Sequence, residues 1–297
     1  MPAKKKPVKG GTLPRVSIGV IGGSGIYNME GLANVREIAV KTPFGAPSDK
    51  FTIGELKGIT VAFLPRHGRG HIYNPSEIPQ RANIWAFKAM GVKTLISVSA
   101  VGSLREKLAP RHFVFPNQLV DRTTGRPNTF FDKGVVAHVG FAHPFCDTVS
   151  DLLYKTAKKL GITSHRGGTL VCMEGPTFST KAESEFHRKM GFSLIGMTAS
   201  PEAKLAREAG LCYAPVSMVT DYDVWKEGEE VHSEMIFQTL VHNSARAKEL
   251  LAAVIPQLAK EHTGCACHTA LKGSLHTDPK RIPAAAKKRL AMFLAEM

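Results

Sequence analysis

Two aspartates that could act on one ligand follow the apolar run 212–219. In an extended chain Asp221 and Asp223 point to the same face, so both carboxylates could reach one planar ligand. A carboxyl group whose pKa is raised by an apolar pocket can protonate a leaving heterocycle, while its neighbour accepts a hydrogen bond from an exocyclic amine. The pair could instead hold a metal ion with Glu174 as a third ligand, or cap a turn at the surface.

Groups suited to an anion follow the other apolar runs. Arg66 and His67 supply a fork of hydrogen-bond donors and a second donor, and the glycine-rich turn 22–25 could present backbone N–H groups. A solvated basic turn and a plain tight turn are the alternatives at these two places. Because basic groups compete with a hard cation, we expect an oxyanion cradle here in preference to a metal site. Its members are Ser24, Arg66, His67, Ser99, Ala100 and Thr198.

The apolar runs alternate with segments of helical composition, which predicts parallel strands joined by crossover helices. All strands would then end at one edge of the sheet, where open α/β sheets bind their ligands. The segment around His138 lacks a clear period and is expected to be a loop. The predicted strands are 16–21, 59–64, 94–99, 113–120, 169–173, 192–197 and 212–219, and the principal helices are 75–90, 147–160, 234–259 and 283–297.

Composition is that of a soluble globular protein. The chain has 297 residues, 43% of them apolar and 22% charged, enough for one large α/β domain or two small ones. No apolar run approaches the roughly 18 residues of a membrane helix, and there is no secretory signal. Much of the net charge of +14 lies in the tails 1–15 and 271–297. The remaining excess suits an anionic small substrate, so we expect neither a nucleic acid nor a membrane as partner.

Five cysteines, an odd number, indicate a reducing cytoplasm and no disulfide framework. Cys146, Cys172 and Cys212 are expected in or near the core. Cys265 and Cys267 form a C-x-C pair, interpreted as two ordinary thiols in a polar segment or as a redox-active pair. A zinc site would need two more ligands, for which His262 and His268 are the only nearby candidates in sequence, so no metal is expected.

Collinear motifs extend from about Val16 to Pro256: GGSGIY, TPFGAPSD, PRHGRGH, SAVGSLRE, EGPTFST with AESEF, GMT and TDYDVW. In order and spacing they resemble those of the 5′-methylthioadenosine phosphorylases, a branch of the trimeric purine nucleoside phosphorylase family. The resemblance implies a nucleoside phosphorylase fold over residues 16–264, a single α/β domain with a mixed, partly barrel-like sheet flanked by helices. A disordered basic tail, 1–15, would precede it, and a C-terminal extension with a terminal helix, 265–297, would follow.

The resemblance also implies a reaction and an assembly. The reaction is phosphate-dependent cleavage of S-methyl-5′-thioadenosine to adenine and 5-methylthioribose 1-phosphate, with inorganic phosphate as co-substrate and no cofactor. The assembly is a cytoplasmic homotrimer. The cradle Ser24, Arg66, His67, Ser99, Ala100 and Thr198 would bind phosphate. Asp221 would be catalytic at the purine N7, and Asp223 would bind the 6-amino group. Met197, Tyr222 and Phe178 would contact the nucleoside, and Ser179, His138, His232 and Ser233 would set specificity.

Two departures from the family pattern affect the expected site. Ser24 stands where animal members have Thr, which keeps the hydroxyl. The segment 231–233, Val-His-Ser, is polar where an apolar residue usually faces the methylthio group. A broader phosphorylase that accepts adenosine or 5′-deoxyadenosine is therefore the alternative. A nucleosidase that uses water and a nucleic-acid-binding protein are remote alternatives.

Overall fold

In the computed structural model the described residues are 13–23, 26, 29, 31–228, 233–261 and 264–297, with only the backbone described at 233–236 and 261. They form a mixed sheet flanked by helices. The strands are β1 Ile18–Gly22, β2 Leu32–Ile38, β3 Phe51–Leu56, β4 Ile59–Pro65, β5 Thr94–Ser103, β6 Phe113–Phe115, β7 Gln118–Asp121, β8 Ser164–Arg166, β9 Thr169–Cys172, β10 Leu194–Gly196 and β11 Cys212–Asp221. The helices are α1 Gln80–Ala89, α2 Asp147–Lys159, α3 Lys181–Lys189, α4 Ala199–Glu208, α5 Ser233–Glu261 and α6 Ala284–Leu294, with short 3₁₀ turns at Ala266–Thr269 and Pro279–Arg281.

Strand β5 is the axis of the sheet. On one side β11 runs parallel to it from Thr94 to Gly102. On the other side β1 pairs with Thr94–Val98, and β10 pairs with Gly102 and Ser103. Among the described strands none covers this side of β5 between Val98 and Gly102, so its backbone faces a gap there.

The direction of β10 determines which residues lie next to one another at the gap. β1, β4, β5 and β11 are parallel to one another, but β10 is antiparallel to β5 and parallel to β9. The expectation that all strands run parallel is therefore wrong. The reversal brings the carboxyl end of β10 back toward Ser99, so the ends of two oppositely directed strand groups face one another.

Most apolar runs are strands in the structure, and the departures have local causes. The run 113–120 is two strands, because Pro116 lies between them and cannot donate a ladder hydrogen bond. The sequence does not predict β2, since four of its seven residues are exposed and its sequence does not alternate. α1 begins at Gln80 and not at residue 75, after a series of turns.

The helices bury one face each against this sheet. In α2 the apolar Val149, Leu153 and Ala157 recur every four residues and are buried, as expected for an amphipathic helix. α6 buries Leu290 and Phe293, and the Phe293 ring stacks on Phe130 with centroids 4.6 Å apart. The terminal helix thus packs on its own domain. No described helix combines the length and apolar character needed to cross a membrane.

Candidate active site

A cavity of about 360 Å³ lies at the gap beside β5, within the size range of small-molecule sites. It extends from the ends of β1 and β4 to the end of β11. Its polar lining is cationic and hydroxylic at one set of strand ends and acidic at another. The residues expected from sequence that line it are Arg66, His67, Ser99, Ala100, Phe178, Met197, Thr198, Asp221 and Asp223.

Arg66 is held from behind by a carboxylate that the sequence did not reveal. Its Nε donates to Glu202 Oε2 at 2.7 Å and its Nη2 donates to Oε1 at 3.1 Å, a bidentate pair in which both side chains are buried. Nη2 also donates to Ser97, and Nη1 donates to the carbonyl of Val98. Nη1 has a second N–H, which is the donor left for an anion in the cavity. Glu202 therefore orients Arg66 and balances its charge.

Glu202 itself is fully satisfied. Besides Arg66 it accepts from Ser97 Oγ at 2.8 Å and from the Tyr213 hydroxyl at 2.8 Å. Burial opposes a charged Arg66, but the carboxylate more than compensates, and the pKa of Arg66 is raised. Because Glu202 holds the guanidinium in a fixed orientation, Arg66 can present its remaining N–H to an anion without being reorganised on binding.

His67 is neutral at physiological pH. Burial lowers its pKa to about 4, and the charge of Arg66 adds to the effect. Its Nδ1 is 2.9 Å from the carbonyl of Tyr73, which accepts a hydrogen bond, so Nδ1 carries the proton and Nε2 is left as an acceptor. The ring stacks on His71 at 4.1 Å. In this state His67 can accept from a protonated anion such as hydrogen phosphate, and it is not the donor that the sequence suggested.

Two hydroxyls meet across the gap. Ser99 Oγ on β5 lies 3.5 Å from Thr198 Oγ1, which follows β10. Thr198 occupies the position before α4 but makes no capping bond with its side chain, so its hydroxyl is available to a ligand. Ala100 is exposed to the cavity in the same stretch. The antiparallel entry of β10 is what brings these groups together.

Arg126 fixes the loop that carries Met197 and Thr198. Its Nη1 donates to the carbonyls of Met197 at 2.7 Å and Ser200 at 2.9 Å, and its Nε donates to Glu174 Oε1 at 2.9 Å. Glu174 also accepts from Ser76 and Thr124, and these donors together with Arg126 lower its pKa to about 2 despite partial burial. Glu174 is thus a structural partner of Arg126 and does not join the aspartates as a metal ligand.

Asp221 and Asp223 both reach the cavity from the end of β11. Asp221 Oδ1 accepts from the backbone N–H of Asp223 at 2.8 Å, and Oδ2 accepts from Thr220 Oγ1 at 2.7 Å. Burial raises the pKa of Asp221, and the neighbouring charge of Asp223 adds to that rise while the hydrogen bonds oppose it. Gly102 makes room for the pair, since a Cβ there would lie 3.0 Å from Asp221 Oδ1.

Asp223 is the less satisfied of the two. It is 5% exposed, and its Oδ2 has no hydrogen-bond partner among the described residues. Burial raises its pKa, and the nearby hydroxyls of Ser184 and Ser179 oppose the rise. Its φ of 54° lies in the left-handed region, which Asp tolerates better than most residues and which re-aims the side chain after the strand. Because Asp223 lines the cavity, its carboxylate can accept a hydrogen bond from a ligand N–H.

Other residues expected at the site lie elsewhere. Tyr222 is buried away from the cavity, with its hydroxyl donating to the carbonyl of Glu106 at 3.1 Å. Ser179 lies behind Asp223, and exposed His138 packs edge-on against His276, outside the described lining of the cavity. Ser24 and His232 lie outside the described residues, as does the side chain of Ser233.

The fold and the cavity define an α/β protein with a small-molecule cavity between a buried arginine and a pair of carboxyl groups. The sequence profile of the phosphorylase superfamily matches residues 17–256, and the chain belongs to that superfamily.

Individual relatives show which members of the superfamily the chain is similar to. The chain is 57% identical over 277 residues to an S-methyl-5′-thioadenosine phosphorylase of Chloroflexus aurantiacus, covering 93% of this chain and 96% of the relative. A methylthioadenosine phosphorylase from an antarctic soil metagenomic library superposes with a TM-score of 0.91 at 46% identity, covering 94% and 99%. A variant of the adenosine/methylthioadenosine phosphorylase of Schistosoma mansoni with adenine bound superposes with a TM-score of 0.78 at 37% identity, covering 83% and 93%.

Proposed function

We propose that the protein catalyses the phosphate-dependent cleavage of S-methyl-5′-thioadenosine to adenine and 5-methylthioribose 1-phosphate, a step of purine and methionine salvage. The observation that carries the proposal is that two buried carboxyl groups, those of Asp221 and Asp223, line the same cavity as Arg66. A carboxylate accepts from an amino group but cannot donate to a 6-oxo group, so it favours 6-aminopurines. The names of the relatives support the same substrate.

The end of the cavity that contains Arg66 would bind and orient the phosphate. Nη1 of Arg66, the hydroxyls of Ser99 and Thr198, and the backbone at Ala100 are its donors, and Nε2 of His67 would accept from the phosphate O–H. Ser24 is proposed as a further contact. Phosphate oxygen attacks C1′ while the bond from C1′ to N9 breaks, through a transition state with oxocarbenium character. The negative phosphate stabilises that positive charge before it bonds to it.

The end of the cavity that contains Asp221 and Asp223 would bind the leaving base. The electron pair of the broken bond passes into the purine ring, and Asp221 protonates or hydrogen-bonds N7 as charge develops there. Burial raises the pKa of Asp221, and a raised pKa makes a carboxyl group a better match to the proton transfer that this role requires. Asp223 would accept from the 6-amino group, and Met197 and Phe178 would contact the sugar and base.

Apolar side chains bear on the 5′-substituent. Ile26, Met218 and Leu240 line the cavity, and Leu240 belongs to α5, the helix that begins at Ser233, the last residue of the polar segment 231–233. A hydroxyl buried against such a wall loses its hydrogen bonds, so this lining favours a methylthio group over a 5′-hydroxyl. Adenosine is the second candidate, because the Schistosoma mansoni relative is named for both substrates.

The decisive experiment compares initial rates for methylthioadenosine, 5′-deoxyadenosine, adenosine and inosine, each with and without phosphate. We expect adenine release to require phosphate and kcat/KM to be highest for methylthioadenosine, with inosine inactive. Equal adenine release without phosphate would identify a nucleosidase. Preference for inosine would contradict the role of Asp223.

The proposal includes an assembly and a location. The protein would work as a cytoplasmic homotrimer without a nucleic-acid or membrane partner and without an organic cofactor. His138, exposed on its own subunit, would then be free to approach the cavity of a neighbour. Phe178, 59% exposed at the cavity, would be covered in the same way.

A further inference from the structure

Four cysteines far apart in sequence meet at the end of β11 opposite the cavity. Cys212 begins β11, Cys146 immediately precedes α2, and Cys265 and Cys267 lie at the 3₁₀ turn that follows α5. Their four Sγ atoms all lie within 4.8 Å of one another. Cys212 and Asp221 stand at opposite ends of one ten-residue strand, about 30 Å apart at the rise of an extended chain, so the cluster is separate from the catalytic cavity.

The sulfur atoms lie close enough together to surround one metal ion. With Zn–S bonds of about 2.3 Å, the edge of a ZnS₄ tetrahedron is about 3.8 Å. Cys146 Sγ and Cys265 Sγ are 3.7 Å apart. A disulfide would bring two sulfurs to about 2.05 Å and separate that pair from the other two. Here all four thiols are free and each lies near the other three.

The surroundings suit a negatively charged tetrathiolate centre. Four thiolates and one Zn²⁺ have a net charge of −2. Arg207 Nη1 lies 3.8 Å from Cys267 Sγ and can donate a charge-assisted hydrogen bond to it. Donors that hydrogen-bond to ligating sulfurs and orient them are the usual outer shell of metal sites.

We propose that Cys146, Cys212, Cys265 and Cys267 bind one Zn²⁺ as a structural site. Four protein ligands close the coordination sphere and leave no position for water, so the ion has no part in the phosphorolysis. Its role is to fasten the segment 264–297 to β11 and to the start of α2. In sequence only His262 and His268 lie near Cys265 and Cys267, whereas the fold brings Cys146 and Cys212 to them from distant parts of the chain.

The test measures zinc in the full-length protein produced with zinc supplied and purified with a mild reductant and no chelator. We expect about one zinc per chain by elemental analysis, released in full when an organomercurial titrates the thiols. Replacement by Co²⁺ should give the thiolate charge-transfer band and the intense visible bands of a tetrahedral sulfur site.

Variants localise the ion. Cys265→Ser and Cys267→Ser should each reduce bound zinc at least tenfold at an equal, near-stoichiometric zinc concentration. Cys172→Ser, which changes a buried thiol outside the cluster, should keep it. If a Cys265 or Cys267 variant fails to fold, the wild-type zinc and Co²⁺ measurements decide. A wild-type chain without zinc, or one whose denatured form shows one free thiol and two disulfides before reduction, would overturn the proposal.

Discussion

At the scale of single residues, the proposed base-binding role of Asp223 can be separated from its structural surroundings. Asp223→Asn replaces a carboxylate acceptor with an amide, and losing a charge-assisted hydrogen bond of about 1.5–3 kcal/mol should lower kcat/KM for methylthioadenosine roughly 10- to 100-fold. Tyr222→Phe is the control, because its hydroxyl bonds to Glu106 and lies outside the cavity. The role of Asp223 would be refuted by steady-state rates that fall equally in both variants.

The proposed phosphate-binding residues are better tested by substitution of Thr198 than by substitution of Arg66. Arg66→Ala would leave the buried Glu202 charge unpaired, at a cost of about 3–5 kcal/mol in folding free energy, so a loss of activity could reflect unfolding. Thr198→Val removes one hydroxyl that caps no helix. We expect the phosphate KM to rise roughly tenfold, as for loss of one hydrogen bond to a charged ligand, while the nucleoside KM stays the same. Parallel changes in both constants would count against a phosphate contact.

The sequence predicted the site residues at strand ends, but it did not predict the residues that hydrogen-bond to them. Arg66 and the aspartates could be singled out because an apolar run directly precedes each of them. Glu202 could not, since it is 136 residues from Arg66 and sits in a helix whose composition is ordinary. The state of His67 also depended on the fold, because burial and the carbonyl of Tyr73 set its pKa and its free nitrogen.

At the scale of elements, the loop after β9 supports the loop after β10. Gly175 has φ of 65°, and a Cβ there would lie 2.6 Å from Met197 Sδ. Gly161 has φ of 66°, and a Cβ added there would meet nothing within 4 Å. Alanine at either position should cost about 1–2 kcal/mol of stability through backbone strain. We expect the nucleoside KM to rise severalfold in Gly175→Ala alone; an equal rise in Gly161→Ala would mean that displacement of Met197 is not the cause.

Glu208, at the end of α4, gives the fold a pH dependence. Burial raises its pKa to about 7, although Thr129 Oγ1 and the Phe130 N–H both donate to it. Between about pH 4.5 and about pH 7 the native state therefore keeps a proton that the unfolded state has lost. The stability that Glu208 contributes is fully present below this range and is lost as the pH rises through it.

Glu208→Gln should remove this dependence. The difference between the unfolding free energies of the variant and the parent, measured by urea titration, should grow in favour of the variant by up to about 3 kcal/mol between pH 5 and pH 8. A constant difference across that range would show that Glu208 titrates normally.

The elements themselves were predictable where burial was strong. β11 is buried along nine consecutive residues and its apolar run identified it. The direction of β10 was not predictable, because three residues carry no signal for the strand with which they pair. That direction decides whether Thr198 lies near Ser99. The position of the cavity therefore depends on which strands pair in the folded protein, and the local sequence pattern does not predict it.

At the scale of the whole molecule, large exposed apolar side chains are where the proposed trimer would bury surface. Phe178, Phe186 and Met190 are 59%, 45% and 57% exposed. We expect light scattering to give a particle of three times the 32.2 kDa chain mass. His138→Ala should keep that mass and raise the nucleoside KM if its ring reaches a neighbour's cavity. A fully active particle of one chain mass would exclude the trimer.

The pairing of Arg66 with Glu202 also bears on how the chain is made. Synthesis proceeds from the N-terminus, and β1, β4 and β5 can assemble while residue 202 is still unsynthesised. Until α4 emerges, this partial sheet carries a guanidinium whose carboxylate does not yet exist, and water must stay around it. The interior around Arg66 can close only after about two thirds of the chain has left the ribosome, so phosphate binding cannot precede the synthesis of residue 202.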